Sequence, residues 1–349
     1  MDLVMPQSSR PSTYKMPYLL RQPRIATWTW TVTRLSFAIA LMLCSSVCVA
    51  QSYPTKPVRV IVPFAPGGGG DITARLVSAK LAERLKQQFV VDNRGGAGGL
   101  VGVELAVKAA PDGYTILIAS SSFSATSATH KPVFDPVNNI APIGEIGIAP
   151  FVLSVHPSVP VKNTQELIAL AKTRPETMIY AIPGIGSITH LASELMLYTA
   201  GVRMTGIPYK GTEPAMIDVI SGQCQLILGS LPPLAPHFST GKLRPLAATS
   251  AKRWYSVPQL PTLGETLPGY AVENWWGMMA PKGTPQSIVD RLNTALNQVL
   301  QDGEMKASMS KEGVVPSGGT EAQFGTRTRE EYAKWLKVVA RTNIRPQSE

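Results

Sequence analysis

The sequence predicts an α/β protein of two lobes, each a mostly parallel sheet flanked by helices, with a ligand cleft between them. Three observations predict it. A β-branched run, Val58-Arg59-Val60-Ile61-Val62, meets the loop Pro63-Phe64-Ala65-Pro66-Gly67-Gly68-Gly69-Gly70-Asp71, and a helical pattern starts at Ile72. Strand and helix alternate from there to Ala119, the signature of a parallel sheet whose ligands sit beyond the carboxyl ends of its strands. The alternation then resumes around a second glycine loop, Ile182-Pro183-Gly184-Ile185-Gly186-Ser187.

The first loop has the composition of an anion site. The first N–H groups of a helix have no partner within it, and the helix dipole adds roughly half a positive charge there. Four glycines let a guest approach bare backbone. Asp71 is placed to cap the helix through its carboxylate, leaving the N–H groups of the loop for a ligand. A tight strand-to-helix turn would use the same residues, so a lone glycine loop leaves both readings open.

Along the first helix Ala74, Val77, Ser78, Leu81 and Leu85 form one stripe, with Ile72 and Leu76 nearly opposite, so cover on two sides is expected. Phe89-Val90-Val91 reads as a short strand, Asp92 to Gly99 as a glycine-rich loop, and Leu100 to Ala110 as a helix stopped by Pro111-Asp112-Gly113. A strand over Tyr114 to Ala119 runs into Ser120-Ser121-Ser122, at the same sheet end as the first loop. In the second lobe a helix over Thr164 to Ala171 and a strand over Met178 to Ala181 precede the second loop, and a helix runs on to Thr199. Ser187 is placed as its N-cap, with His190 in the first turn. Strands follow at Met204 to Ile207, Gln225 to Leu228 and Leu243 to Ala248, with a helix over Pro214 to Ser221. Beyond Pro-rich linkers, Tyr270 to Met279 reads as a strand carrying Trp275 and Trp276, and helices over Pro285 to Gln301 and Glu321 to Val339 close the chain.

The first 50 residues stand apart. Arg10, Lys15, Arg21, Arg24 and Arg34 precede an apolar run from Leu35 to Ala50 that ends with small residues at the last and third-last places, the pattern of a secretory signal cut after Ala50. The basic leader is long, and a start at Met16 would shorten it. A transmembrane anchor needs ~20 apolar residues, more than this run supplies. Val47 and Leu43 precede Cys48 and Cys44, where lipid attachment wants a small residue. Removing five basic residues and one acidic residue with the leader lowers the net charge from +10 to +6. The excess is scattered, without a block of like charges, which argues against a nucleic-acid footprint. Only Cys224 remains, so the exported chain carries no disulfide framework.

Catalytic motifs are not apparent. Gly184-Ile185-Gly186 holds Thr189 where a dinucleotide fingerprint needs its third glycine, and neither loop carries the Lys-Ser/Thr of a P-loop. There is no Gly-x-Ser-x-Gly elbow, and Ser308-x-x-Lys311 lies far from either loop. His130, His156, His190 and His237 have no metal-ligand spacing, so neither metal nor cofactor is expected.

Several motifs in order resemble a known family. Tyr53-Pro54, Pro63-Phe64 with Gly67-Gly68 and Asp71, Asn93-Arg94-Gly95-Gly96-Ala97-Gly98-Gly99 and Pro111-Asp112-Gly113-Tyr114-Thr115 look like a Bug-type protein. The resemblance continues through Gly186-Ser187 with His190-Leu191, Tyr209-Lys210-Gly211, Gly241-Lys242-Leu243-Arg244, Pro261-Thr262 and Trp276-Gly277. Such proteins are similar to the periplasmic solute-binding component of tripartite tricarboxylate transporters. The resemblance implies a type II-like periplasmic binding protein fold that holds a small carboxylate largely by loop backbone and water. It also implies a first lobe of residues 51–151 and 277–349, a second lobe of 152–276, delivery to membrane transporter subunits, and a monomer.

The candidate ligand-binding residues are then Phe64, Ala65, Pro66, Gly67, Gly68, Gly69, Gly70, Asp71, Ser121, Gly186, Ser187, His190, Gly229 and Ser230. Arg94 is read as bracing its loop, and Trp275 and Trp276 as core and lobe-junction residues. Family members often carry Asp where this chain has Gln225 and Gly229, read as lying by the cleft, which disfavours ligands bearing an amine. Di- or tricarboxylates or aromatic acids are favoured instead. A receptor read by a membrane sensor kinase and an exported α/β enzyme are the other readings; for the enzyme no nucleophile and base pair is found.

Overall fold

The computed structural model describes residues 53–130 and 132–342, so the leader and its cleavage point lie outside the described residues. β1 (Val58–Val62) passes through the first glycine loop into α1 (Gly69–Leu85), followed by β2 (Phe89–Asn93), α2 (Leu100–Val107), β3 (Thr115–Ser120), α3 (Ser122–His130) and β4 (Ile140–Val155). Next come α4 (Thr164–Thr173), β5 (Ile179–Ile182), α5 (Ile188–Ala200), β6 (Thr205–Pro208), α6 (Thr212–Ile220), β7 (Leu226–Ser230), α7 (Leu231–Ser239) and β8 (Arg244–Ala248). The single turn α8 (Leu263–Thr266), β9 (Glu273–Pro281), α9 (Gln286–Gln301), α10 (Gly303–Lys311), β10 (Val315–Pro316) and α11 (Glu321–Thr342) complete the order.

The sheet has two halves with one plan. In the first, β1 lies between β2 and β3, parallel to both, and β9 and then β4 extend the trio antiparallel. In the second, β5 lies parallel between β6 and β7, and β4 adds antiparallel to β7 with β8 on its far side. β4 belongs to both halves: through Pro150 it pairs with β9, and from Phe151 it pairs with β7 and β8. Each parallel trio is thus completed by a strand that arrives from the other half, giving a two-lobed α/β fold with a continuous path of strands.

Helices cover both faces. On one face of the first half Val77 and Leu81 of α1 and Leu292 and Leu296 of α9 bury against Val60 and Ile116; on the other, Leu100, Val103 and Phe123 bury against Leu117. Fully burying one such side chain contributes ~1.5–3 kcal/mol, so the stripe read along α1 is a main anchor of that helix. In the second half, Leu191 and Met196 of α5 pack with Leu153 and Leu228, and Met216 and Leu234 with Ile227 on the opposite face. α11 takes part in both halves, with Phe324 in the first-half core and Trp335 in the second. Phe324 seats against Gly277, where a Cβ would lie 2.0 Å from its ring, so only glycine fits there.

Some elements depart from expectation for physical reasons. α1 starts at Gly69 with Gly68 as its N-cap, which places Asp71 inside the first turn instead of at the cap. α3 has almost no exposed face, so it lacks the amphipathic stripe that betrays a helix. β4 contains two prolines and two glycines; register shifts between Pro142 and Gly144 and between Glu145 and Gly147 absorb them.

Candidate functional site

The β1–α1 loop is held rigid from below. Gly67 has φ +82, a conformation that favours glycine, and its N–H donates to Asp71 Oδ2 at 3.0 Å. The same carboxylate accepts from Arg75 Nε at 2.9 Å and from Asn93 Nδ2 at 3.1 Å, and Asn93 Nδ2 also donates to the Phe64 carbonyl. Burial works to raise the Asp71 pKa, but the donors from Arg75, Gly67 and Asn93 hold it below the usual carboxylate range. Asp71 therefore fixes the loop's shape and leaves the backbone of Gly68, Gly69 and Gly70 to face the cleft.

The second loop has its own brace. Ser187 is the N-cap of α5: its Oγ accepts from the His190 N–H at 3.4 Å and lies 2.9 Å from Thr189 Oγ1. The His190 ring turns back under the loop, where Nδ1 accepts from the Gly186 N–H at 3.0 Å. Burial, with His130 nearby, pushes its pKa below the ordinary histidine value against the pull of Glu194, so the ring is neutral at neutral pH. Gly186 has φ +68 and a Cβ there would lie 2.1 Å from the His130 ring, while its carbonyl accepts from Thr129 Oγ1 at 3.3 Å.

Between the loops lies a small cavity, partly open to solvent. Five helices begin on it: α1 at Gly68–Gly70, α3 at Ser122, α5 at Ser187–Thr189, α6 at Thr212 and α7 at Ser230. The positive ends of their dipoles meet at one small space, although Pro232 and Pro233 of α7 lack N–H groups and the Ile188 N–H is given to Ser122, and no lining residue carries a charge. Hydroxyls of Ser120, Ser122, Ser187, Thr189, Thr212 and Ser230 supply further donors, with Asn274 and Trp276 from β9 alongside. The chemistry available is anion capture by neutral donors.

The predicted residues divide. Phe64, Gly68, Gly69, Gly70, Ser187 and Ser230 line the cavity. Ala65, Pro66, Gly67, Asp71, Gly186 and His190 do not; they shape the loops that do. Ser121 is wholly buried, and its Oγ donates to Asn274 Oδ1 at 2.7 Å, which leaves the amide N–H₂ of Asn274 for the cavity. Gly229 does not line the cavity itself: a Cβ on it would meet Leu234 at 3.0 Å and Thr212, a lining residue, at 3.3 Å. Gln225 precedes β7, at the opposite end of that strand from Ser230, where its Oε1 accepts the Ile179 N–H at 2.7 Å. Gln225 is therefore not by the cleft as expected, and Gly229 lies just behind its wall. Arg94 pairs with Asp92 at 2.8 Å, beside its loop. Trp275 is core, its Nε1 donating to Glu331, whereas Trp276 is both core and cavity wall.

Sequence reasoning missed Ser120, Ser122, Phe151, Pro183, Ile188, Thr189, Thr212, Asn274 and Trp276. The serine run after β3 was the available signal, one residue out of phase; Asn274 and Trp276 needed β9's register, which local sequence does not carry.

The two halves are closed on the cavity. A Cβ at Gly69 would lie 3.0 Å from both Ser230 Cβ and Trp276 Cζ2. The Ala65 N–H donates to the Lys210 carbonyl at 3.3 Å, and the Ile188 N–H to Ser122 Oγ at 3.3 Å. Among the described residues no group of His, Cys, Asp and Glu is arranged to hold a metal ion.

Comparison with known proteins gives a consistent set of similarities. Residues 73–344 match the model of the tripartite tricarboxylate transporter family receptor. The chain is 33% identical over 322 residues to Protein BugT of Bordetella pertussis (strain Tohama I), covering 90% of this chain and 99% of that one. Among solved structures it is similar to R. palustris Rpa4515 with adipate, at 36% identity and a TM-score of 0.82, covering 84% of this chain and all of the other. It also resembles MatC from Rhodopseudomonas palustris with bound malate, at 29% identity and a TM-score of 0.79, covering 82% of this chain and all of the other.

Proposed function

Because the chain belongs to the tripartite tricarboxylate transporter receptor family, we propose that it captures a small organic acid between its lobes and delivers it to the membrane subunits of such a transporter, without chemistry of its own. The observation that carries this reading is the convergence of five helix N-termini on one cavity free of charged side chains. Each hydrogen bond to an ionised carboxylate contributes ~1.5–3 kcal/mol, so three or four approach the ~8 kcal/mol of a micromolar site before the cost of closure. The adipate and malate held by two similar proteins support a dicarboxylate. A cavity without a carboxylate gives an ammonium no partner, which supports acids without an amine over zwitterions.

The leader at residues 1–50 is read as directing export to the periplasm, with cleavage near Ala50. Among the described residues no helix is long and apolar enough to cross a membrane. We place the lobes at 51–151 with 277–349, and at 152–276. The change of partner at Pro150/Phe151 in β4 supports the first crossing, and the pairing of β9 from Glu273 favours a second crossing a few residues before Gly277.

Calorimetry and thermal melting of residues 51–349 with malate, adipate and citrate test the function. Binding is expected, and a ligand at 100-fold its Kd stabilises by about 2.7 kcal/mol. A screen of di-, tri- and aromatic carboxylates without binding or melting shift overturns the reading.

A further inference from the structure

The charge-free cavity has an acid just outside it. Of the five helices that begin there, only α1 and α6 carry an acidic residue in the first turn. Asp71 of α1 pairs with Arg75 at 2.9 Å and is spent on its own loop. Glu213 of α6 has no such partner: among the described residues its carboxylate makes neither a hydrogen bond nor an ion pair. A helix dipole favours an acid in the first turn, and a solvated side chain there would need no further account.

Glu213 is instead partly buried, and its side chain reaches across the cleft. A Cβ on Gly67 would lie 3.2 Å from Glu213 Cγ, Cδ and Oε2, which sets the carboxylate against the β1–α1 loop of the opposite half. The same edge is closed by Gly211, where a Cβ would lie 3.1 Å from Ala65 Cβ. Residues that line the cavity flank this contact on both sides, Gly68 next to Gly67 and Thr212 next to Glu213. The carboxylate therefore stands at the rim of the anion cavity without lining it. There it opposes part of the positive end of α6 and repels each anionic group of a ligand, in proportion to the ligand's charge. Partial burial leaves that repulsion less screened by salt than at an open surface.

We infer that Glu213 is a specificity-determining residue that selects ligands by charge, favouring dianions over trianions in the cavity. The inference rests on the carboxylate reading above and adds the net charge that the site accepts. Neutral donors and helix ends attract any acid; the unpaired carboxylate at the rim sets how much negative charge they hold.

Calorimetry at pH 8 with malate, citrate and aspartate on residues 51–349 tests it. The three share one skeleton: citrate is malate with an added carboxymethyl group, and aspartate is malate with an ammonium in place of the hydroxyl. Glu213→Gln keeps the side chain's length and removes its charge, and is expected to tighten malate about tenfold and citrate about thirtyfold. Glu213→Asp keeps the charge and is expected to keep the citrate-to-malate ratio of the parent. Equal gains for the two acids in Glu213→Gln, no gain for either, or the same change of ratio in Glu213→Asp overturns the inference while malate binding leaves the carboxylate reading in place. Aspartate that binds the parent and is weakened by Glu213→Gln also overturns it, and makes Glu213 the partner of a ligand's amine. Protein that binds no carboxylate at all overturns both readings.

Discussion

At the scale of single residues the site depends on close approach more than on charge. Gly69 is the sharpest case, since any Cβ there wedges between Ser230 and Trp276 from the opposite sides of the closed cleft. At Gly68 the nearest atom to a Cβ is the Ala65 carbonyl oxygen at 3.7 Å, and φ is −75. Gly69→Ala is therefore expected to weaken malate binding by about tenfold or more, roughly 1.4 kcal/mol, and Gly68→Ala by clearly less, as measured by calorimetry. The glycine loop itself was legible from composition. The side chains around it were less so: Ser121 was chosen where Ser120 and Ser122 face the cavity, because the phase at the end of a strand is set by the turn beyond it. His190 lies in the first turn as expected, yet its ring satisfies its own loop. The case against amine-bearing ligands now rests on the uncharged lining of the cavity, and not on Gln225 and Gly229.

At the scale of elements, helices with one apolar stripe and strands between glycine loops were read from sequence within a few residues. α3 and β4 were not. One is buried all round and the other is broken by proline and glycine, so both owe their form to tertiary contacts that a local pattern cannot show. α11 carries a titration of its own. Burial lifts the Glu331 pKa to about 7, although the hydrogen bond from Trp275 pulls it down. The unfolded chain ionises this group near the ordinary value of 4.5, so folding is favoured most below that pH and loses stability as the pH rises to about 7. Glu331→Gln is expected to remove this loss, so that the variant gains stability over the parent at pH 8 relative to pH 5 by on the order of 2 kcal/mol, seen as a higher melting temperature at pH 8. Melting curves of both proteins across that range check it; parallel curves would show that Glu331 does not titrate there.

At the scale of the whole molecule, an anion held by helix termini inside a closed cleft is shielded from solution ions. Exposed charges are screened over a Debye length of about 8 Å in physiological salt, but a buried site is screened much less. Malate affinity is expected to fall by less than about threefold between 0.05 and 0.5 M salt. Isothermal titrations at the two strengths measure it, and a steep loss would point to a surface cation as the true partner. The two-lobe plan was legible because it repeats in the chain. Of the antiparallel strands that join the lobes, β9 was read as a strand but β4 and their pairing with each other were not, since the paired residues lie more than a hundred residues apart.

α11 is embedded in both lobes, with Phe324 locked against Gly277 at one end and Trp335 in the second-lobe core at the other. A helix pinned in both lobes acts as an axle: parting the cleft is expected to be a rotation about α11, with the strand crossings as its pivot and the Ala65–Lys210 contact at the moving edge. Scattering from the protein with and without malate measures the change in radius that such a rotation requires.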